Sequence, residues 1–324
     1  MHDFPFFQKL IEEEIRNLSL PEQPSELYDP IRYMLTLGGK RIRPVLVLMS
    51  CEMFDGNISN AIHPAIGIEV FHNFTLLHDD IMDKAPLRRS KPTVHTRWNT
   101  DVAILSGDTM FVQACQLMLK TDQTCALPMM RHFLETAVKV CEGQQWDMSY
   151  QTAPKVSIPE YLNMIELKTA VLLASSLKCG AMIAKATEED QQHIYDFGKN
   201  LGIAFQLHDD ILDVYGDEQK VGKQTGGDII ANKKTYLLLK AQEVGTKDQQ
   251  EELAHWLTVE KFDQNEKVKA VKNIFEKVRV KELSKEVMEQ YFNKAIEAFD
   301  KISVASEKKS IVESLAETLM IREK

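Results

Sequence analysis

Hydrophobic and polar residues along this chain recur mainly with the period of an α-helix, and the two-residue alternation of a half-buried strand is scarce. Amphipathic helices separated by glycine, proline and short polar turns are therefore predicted. They cover residues 3–18, 27–37, 44–53, 61–83, 99–120, 128–150, 158–184, 188–214, 233–245, 248–258, 261–279, 281–303 and 307–322. Ser157 and Glu160 have the spacing of a capping box at the start of the 158–184 helix. The pattern predicts an all-α protein.

Nothing in the sequence divides these helices into separate domains. Residues 217–232 are rich in Gly and Lys without a clear period and are predicted to form a loop. No linker rich in Pro, Gly or Ser interrupts the chain elsewhere. The 324 residues are 44% hydrophobic, which is enough for one substantial core. We therefore predict a single domain over residues 1–324.

Composition and charge narrow the class of protein. A net charge of −9 argues against a general nucleic-acid binder, so a local basic cluster or a metal must attract any anionic substrate. Five scattered cysteines without a C-x-x-C pair fit reduced thiols. The first residues lack the features of a signal peptide, and no apolar stretch reaches the ~18 residues of a membrane span. A cytoplasmic protein is expected.

The most informative motif is an acidic hexapeptide that occurs twice, as HDDIMD at 78–83 and as HDDILD at 208–213. On a helix, the first and last Asp of each motif share one face, and the middle Asp flanks it. Such crowding is unfavourable without a cation, and hard oxygen ligands favour Mg²⁺. Two motifs that face each other would hold a polyphosphate through metal ions. The simpler alternative is two solvated acidic helix ends.

Basic residues occur at places from which they could contact a polyphosphate. They follow a Gly pair, lie after the first acidic motif, interrupt an apolar helix, or flank the 217–232 loop. They are Lys40, Arg41, Arg43, Arg88, Arg89, Lys168, Lys223 and Lys233. Arg suits bidentate phosphate contacts, and Lys acts as a point charge. Each could be a solvated surface residue, although a Lys on an apolar helix face, such as Lys168, is uncommon. His72 lies two helical turns before Asp79 and is either a core histidine or part of the same site.

Taken together and in order, these motifs resemble the trans-isoprenyl diphosphate synthases, also called polyprenyl synthetases. The matching segments are GGKRIRP at 38–44, EVFHNFTLLHDDIMD at 69–83, LRRSKPT at 87–93, GD at 107–108, GQQWD at 143–147, KT at 168–169, FQLHDDILD at 205–213 and GKQTGGDI at 222–229. The resemblance runs from about Gly38 to Lys233. One departure is Ser90, which stands where the family usually has Gly after the Arg pair.

The resemblance implies an isoprenoid synthase-type helical bundle around a central cavity with two facing Asp-rich helices. It implies that the two motifs hold three Mg²⁺, with Mn²⁺ as a substitute, through Asp79, Asp80, Asp83, Asp209, Asp210 and Asp213. The implied isopentenyl diphosphate pocket is Lys40, Arg43, His72 and Arg89. The implied ligands of the allylic diphosphate are Arg88, Lys168, Lys223 and Lys233. Thr169 and Gln206 would line the allylic cation, and together with Lys168 and Arg88 they form the implied catalytic set.

The activity implied by the resemblance is that of a short-chain prenyltransferase. In this family, residues four and five places before the first Asp-rich motif limit the product length, and here they are Thr75 and Phe74. One aromatic at the fifth position resembles enzymes that make geranylgeranyl diphosphate (C20), while farnesyl diphosphate (C15) stays open. The partners implied are the two small-molecule diphosphates and a second copy in a homodimer. No nucleic acid and no transmembrane segment are expected.

Three other functions fit parts of the sequence. A class I terpene cyclase shares the first acidic motif, but its second metal motif normally differs from DDxxD. A non-catalytic subunit of a heteromeric synthase would be expected to have lost its Asp motifs. A di-iron bundle would use paired Glu-x-x-His motifs, which occur at 69–72 and 252–255, but this leaves the repeated Asp motifs unexplained.

Overall fold

The computed structural model describes residues 2–216 and 225–321, and it confirms the all-α prediction. The helices of the first half are α1 Phe4–Arg16, α2 Ser25–Thr36, α3 Ile42–Met53, α4 Ile58–Met82, α5 Val94–Arg97, α6 Thr100–Met118 and α7 Gln123–Thr152. Those of the second half are α8 Ile158–Ile165, α9 Val171–Ile183, α10 Glu188–Tyr215, α11 Gly227–Ile230, α12 Tyr236–Val244, α13 Lys247–Thr258, α14 Gln264–Lys277, α15 Val280–Asp300 and α16 Ser306–Ile321. Part of the predicted loop, residues 217–224, lies outside the described residues.

The predicted 158–184 helix begins as expected but is not α-helical throughout. Ser157 and Glu160 form the predicted capping box, with the Ser157 N–H donating to Glu160 Oε2 at 2.7 Å. Between α8 and α9, Glu166–Ala170 form a π-helical turn. Such turns insert an extra residue into a helix and often occur at functional sites. The hydrophobic period does not reveal this turn, because the apolar pattern continues through it.

A short β-hairpin was not predicted from the sequence. Strands β1 Leu87–Arg88 and β2 Lys91–Pro92 pair antiparallel after α4. The two residues between them, Arg89 and Ser90, have φ of 52° and 61°, as in the type I′ turns that join twisted strands. Gly adopts the left-handed conformation of Ser90 without steric cost, which agrees with the Gly that the resemblance leads one to expect at this position.

The described chain divides into two compact units, and the first consists of Met1–Leu134, Ser175–Gln192 and Ser303–Val312. Its core is built on α3 and α4, which are apolar on almost all sides and are therefore largely buried. Gly180 of α9 packs against α3, where an added Cβ would lie 2.3 Å from the Val47 carbonyl oxygen. This close contact fixes the position of α3 and of the turn that precedes it.

The second unit consists of Glu135–Ala174, His193–Ile302 and Glu313–Lys324. One buried cluster includes Tyr161, Ile165 and Leu207, and another includes Ile211 and Phe275. Helix α10 contributes to both clusters, so its acidic motif is supported by apolar packing on two sides. The prediction of one domain over 1–324 stays a prediction.

Two further expectations concern cysteines and membranes. All five cysteines are free, and Cys51, Cys125 and Cys179 are buried. Burial raises the pKa of Cys51 and Cys179 to about 12, so these thiols stay protonated at neutral pH. Among the residues that the structure describes, no helix combines the length and the hydrophobicity needed to cross a bilayer.

Candidate active site

The first acidic motif lies at the carboxyl end of α4, where Asp83 is the C-cap residue. Asp80 is buried and accepts two hydrogen bonds of 2.8 Å from Nε and Nη2 of Arg88. Burial still raises the pKa of Asp80, although Arg88 opposes the shift. Asp79 is half-buried and Asp83 is exposed. The three carboxylates therefore differ, since the middle one holds Arg88 and the outer two are more accessible to solvent.

The hairpin after α4 places both arginines of the Arg88–Arg89 pair. Arg88 in β1 reaches back to Asp80, eight residues earlier, and its Nη2 also lies 4.0 Å from Asp79 Oδ2. Arg89 in the turn packs against Gly39, where an added Cβ would lie 2.8 Å from Arg89 Nη2. Glycine is favoured at position 39 because its φ of 138° is one that residues with a Cβ rarely adopt, and the missing Cβ leaves space for the guanidinium. The structure brings the Arg pair to the basic turn and to the first acidic motif.

Three of the predicted isopentenyl diphosphate ligands, Arg43, His72 and Arg89, lie near one another in the first unit, since the charges of both arginines act on His72. We call them the cationic cluster for their two arginines. The Nη1 atom of Arg43 lies 3.3 Å from His72 Nε2, and the guanidinium of Arg89 lies beside Gly39. Lys40, between Gly39 and Arg41, is exposed. Burial and the neighbouring arginines hold the pKa of His72 well below its usual value, so the imidazole is neutral at neutral pH. A neutral His72 adds no further positive charge to the cluster.

The glycine of the GD segment at 107–108 has a steric explanation in the same unit. An added Cβ on Gly107 of α6 would lie 2.2 Å from His78 Nε2 of α4. Glycine is therefore needed where α6 passes the histidine of the first acidic motif. His78 Nε2 also lies 3.3 Å from the Ile104 carbonyl oxygen. The contact ties the end of α4 to α6.

The predicted chain-length residue Phe74 belongs to an aromatic cluster of the first unit. Its ring stacks on Phe111 with centroids 5.5 Å apart and also contacts the rings of Phe71 and His78. Phe74 is half-buried. The hydroxyl of Thr75 donates to the His72 carbonyl oxygen at 2.8 Å, so it is satisfied within α4. The Phe74 ring is thus held in place by contacts with three neighbouring aromatic rings.

In the second unit, the middle Asp of the second acidic motif is also buried. Asp210 accepts a short hydrogen bond from the Tyr161 hydroxyl and one of 3.2 Å from Gln206 Nε2. Burial and the Asp228 carboxylate raise the pKa of Asp210 to about 7. Asp209 is exposed and Asp213 is half-buried. As in the first motif, the middle carboxylate is buried and the outer two are more exposed.

The π-helical turn carries Lys168 and Thr169, two predicted catalytic residues. Lys168 Nζ donates to Asp147 Oδ2 at 2.5 Å, and Thr169 Oγ1 donates to Gln206 Oε1 at 3.4 Å. Helix α7 approaches this turn closely at Gly143, where an added Cβ would lie 2.2 Å from the Lys168 backbone nitrogen. The turn, α7 and α10 therefore bring Lys168, Thr169 and Gln206 together.

Short helix α11 connects the second acidic motif to Lys233. The Asp228 N–H donates to Asp213 Oδ2 at 3.0 Å, and Lys233 Nζ lies 3.4 Å from Asp228 Oδ1. Lys233 is exposed. Its contact with Asp228, which in turn binds Asp213, keeps it near the second acidic motif. The other predicted lysine of this segment, Lys223, lies outside the described residues.

Comparison with known proteins assigns the chain to a family. The family model for polyprenyl synthetase matches residues 24–275, which is most of the chain. The chain belongs to the polyprenyl synthetase family. This confirms the resemblance inferred from the ordered motifs.

Individual relatives of this polyprenyl synthetase support the same assignment. A geranylgeranyl diphosphate synthase of Methanosarcina mazei is 39% identical over 227 residues, which are 69% of this chain and 70% of that protein. A crystal structure of a geranylgeranyl pyrophosphate synthase has a TM-score of 0.95 and 44% identity, with full coverage of both chains. A polyprenyl synthase from Caulobacter crescentus, complexed with calcium and isoprenyl diphosphate, has a TM-score of 0.86 and 25% identity over 99% of this chain and 95% of that one.

The acidic residues of this polyprenyl synthetase suit Mg²⁺ in their chemistry. Among the described residues, no group of three or more His, Cys, Asp and Glu side chains forms a ready-made metal site. Mg²⁺ is usually bound by one or two carboxylates together with substrate phosphates and waters. The exposed Asp83 and Asp209 can provide such carboxylates. Glu69 of the di-iron alternative is instead paired with Arg41.

Several residues of the site were not predicted. Asp147 holds Lys168, Tyr161 holds Asp210, and Glu69 holds Arg41. Asp147 and Glu69 lie inside segments that match the family, which was the available signal for them. Tyr161 had none, because one Tyr in an amphipathic helix is indistinguishable from a core residue. That Asp80 and Asp210 would be buried was also not evident from the sequence.

The raised pKa of Asp210 predicts a pH-dependent effect on stability without metal. Asp210 has an ordinary value of 3.8 and a folded value of about 7, so the folded protein binds the extra proton between these values. Its contribution to stability is present below about pH 4 and is lost as pH rises through about 7. At each pH we compare the melting temperature of Asp210→Asn with that of the unmodified protein. We expect this difference to be more positive at about pH 8 than at about pH 5.

The measurement is differential scanning calorimetry with a chelator present. Asp248→Asn, on the exposed side of α13, serves as the control and should show no such difference between the two pH values. An Asp210→Asn melting shift that stays constant with pH would contradict the assignment.

Proposed function

We propose that this polyprenyl synthetase condenses isopentenyl diphosphate with an allylic diphosphate and forms geranylgeranyl diphosphate. The observation that carries the proposal is the preformed cationic cluster of Arg43, Arg89 and neutral His72. Two arginines close to one histidine and to the first acidic motif can bind a diphosphate through charge-assisted hydrogen bonds, which a neutral substrate cannot form. The names of the relatives reported above support the C20 product, and C15 is the alternative.

The first chemical step is the ionisation of the allylic substrate. The C–O bond breaks, and its electron pair leaves with the diphosphate, whose growing charge is stabilised by Arg88, Lys168, Lys223 and Lys233. Mg²⁺, or Mn²⁺ as its substitute, would be held by Asp79, Asp80, Asp83, Asp209, Asp210 and Asp213 and would supply further stabilisation of this charge. The outer carboxylates of each motif, which are more exposed than Asp80 and Asp210, are the best placed for this role.

The allylic cation is then stabilised and captured. Gln206 donates through Nε2 to Asp210 and accepts from the Thr169 hydroxyl through Oε1. The remaining lone pairs of the Gln206 and Thr169 oxygens are the partial negative charges offered to the cation. The π electrons of isopentenyl diphosphate, held by Lys40, Arg43, His72 and Arg89, form the new C–C bond to C1. A proton leaves the resulting cation for the released diphosphate, and a double bond is restored. No protein nucleophile is required.

Phe74 is proposed to limit the length of the product. Its ring is backed by Phe111 and Phe71, so it cannot move aside without displacing other aromatic side chains. Elongation ends when the growing prenyl chain reaches the Phe74 ring. Thr75, whose hydroxyl is bound to the α4 backbone, presents little bulk.

A homodimer is proposed, with helix α6 at its interface. Leu105, Val112 and Leu119 recur every seven residues, share one helix face and are 60%, 56% and 50% exposed. Leu127 and Leu134 form a second exposed stripe on α7. Contiguous exposed apolar side chains of this kind mark interaction surfaces, and the family usually pairs through helical faces.

The compartment proposed for the enzyme is the cytoplasm. All five cysteines are free thiols. Proteins without disulfides despite several cysteines are typical of reducing compartments.

The central test is product analysis by mass spectrometry. Purified protein with Mg²⁺, isopentenyl diphosphate and farnesyl diphosphate should yield a C20 diphosphate. Asp79→Ala and Asp209→Ala should each lower turnover by about 100-fold or more, because charge on the leaving group is less stabilised. Exposed Glu289→Ala is the control and should turn over normally. A free hydrocarbon product would indicate a cyclase, and near-normal turnover of either Asp variant would refute the metal assignment.

Phe74→Ala should lengthen the product beyond that of the unmodified enzyme. The truncation removes the ring that faces the growing chain, whereas Phe74→Tyr keeps the ring and serves as the matched control. Chain length is measured by mass spectrometry after dephosphorylation, and melting curves establish that both variants fold. An identical product profile for Phe74→Ala and Phe74→Tyr would rule out this role.

Leu105→Glu should convert the dimer to a monomer. A charge in an apolar interface is left without a partner and weakens association. Analytical ultracentrifugation measures the mass, and Val244→Glu, at an apolar position with 43% exposure on α12, is the control. A monomeric unmodified protein, or a dimeric Leu105→Glu variant, would show that α6 is not the interface.

A further inference from the structure

The turn between α2 and α3 has an unusual backbone. Gly38 and Gly39 have φ of 82° and 138°, and Arg41 has φ of 53°. Glycine adopts such angles readily, but a residue with a Cβ rarely does. Arg41 is nevertheless the residue from which α3 begins. A left-handed non-glycine residue persists only where its surroundings hold it, so its side chain is informative.

The side chain of Arg41 is held by two buried hydrogen bonds. Nη1 donates to Glu69 Oε1 at 2.6 Å, and Nη2 donates to the Leu35 carbonyl oxygen at 2.7 Å. Arg41 is 5% exposed and Glu69 is 3% exposed, so the ion pair between them is buried. Asn73 Nδ2 also donates to Glu69 Oε1, at 3.0 Å, and to the Glu69 carbonyl oxygen. The carboxylate is thus fixed from two directions.

This buried pair joins the two elements that carry the cationic cluster. Arg41 lies between Lys40 and Arg43 in the turn, and Glu69 lies one helical turn before His72 in α4. The ion pair therefore sets the position of the turn relative to His72, which Arg43 approaches to 3.3 Å. The same turn conformation opens the space at Gly39 that Arg89 occupies.

Glu69 also counters the mutual repulsion of the cluster. Burial lowers the pKa of Arg43 and of Arg89, and neighbouring arginines lower that of Arg89 further. The Glu69 carboxylate acts in the opposite direction on both. Before a diphosphate arrives, a buried carboxylate is needed to keep several guanidinium groups close together.

We propose that Arg41 and Glu69 are a positioning pair that assembles the isopentenyl diphosphate pocket before the substrate binds. Neither residue contacts the diphosphate, because both are buried. They act through Lys40, Arg43, His72 and Arg89, whose relative positions they fix. The inference rests on the proposed function of these four residues and extends it to two that do not touch substrate.

The test uses a double variant, Arg41→Met with Glu69→Gln. Removing one partner alone would leave a buried charge unpaired and could prevent folding, whereas the double variant leaves none. We expect it to melt close to the unmodified enzyme. Its KM for isopentenyl diphosphate should rise about tenfold because the pocket is no longer preorganised, with little change in KM for the allylic substrate or in kcat at saturation.

Two further variants separate positioning from stability. Arg41→Lys keeps the charge but cannot donate to both Glu69 and the Leu35 carbonyl oxygen as the guanidinium does. Its KM for isopentenyl diphosphate should therefore lie between those of the unmodified enzyme and the double variant. The control is Arg32→Met with Asp29→Asn, which removes a more exposed ion pair of 2.8 Å from α2 and should leave both KM values unchanged.

Isothermal titration with isopentenyl diphosphate distinguishes the outcomes. If the unmodified protein binds it and the double variant binds equally well, the positioning role is wrong and the proposed function stands. If the unmodified protein does not bind it, both are wrong. A double variant that loses affinity for both substrates in equal measure would also overturn the inference, since a general structural defect would explain it. If the double variant does not fold, Arg41→Lys decides, and a normal KM there overturns the proposal.

Discussion

The structure depends on the matching of buried charges. A carboxylate or a guanidinium taken out of water is costly unless another group compensates it. Asp80 is matched by Arg88, Asp210 by Tyr161 and Gln206, and Arg41 by Glu69. Each match lies within one of the two units, and those of Tyr161 with Asp210 and of Arg41 with Glu69 join helices distant in sequence. The polar side chains of the site are therefore held by buried contacts rather than by the exposed loops in which some of them occur.

Because of these buried contacts, the middle and the outer carboxylates of each acidic motif have different roles. The middle carboxylate is buried and positions a second functional side chain, which is Arg88 in one motif and Gln206 in the other. The outer carboxylates are more exposed. A site built in this way has fixed donors and acceptors before substrate enters, which is what electrostatic stabilisation of a developing charge requires. The repeated motif thus repeats a structural role as well as a sequence.

Close approach of backbones completes the arrangement. Gly107 lets α6 pass His78, and Gly143 lets α7 pass the π-helical turn at Lys168. Neither position has room for a Cβ without movement of its neighbours. The π-helical turn changes the angular relation between Lys168 and the residues of α8, and it is accommodated there because α7 packs against it. Precision at the site follows from steric exclusion as much as from hydrogen bonds.

The sequence by itself determined the all-α class and most helix boundaries, because these follow from helical periodicity and capping. The site residues were proposed from local acidic and basic motifs and stay predictions. The fold class and the family are confirmed, while the metal ligands and the facing of the acidic helices stay predictions. The hairpin at Arg89 and Ser90, the π-helical turn, and the partners Asp147, Tyr161 and Glu69 were decided only by tertiary structure. The physical reason is that the partner of a polar side chain is decided by what surrounds it in space, and these three partners lie 21 to 49 residues along the chain from the side chains they contact.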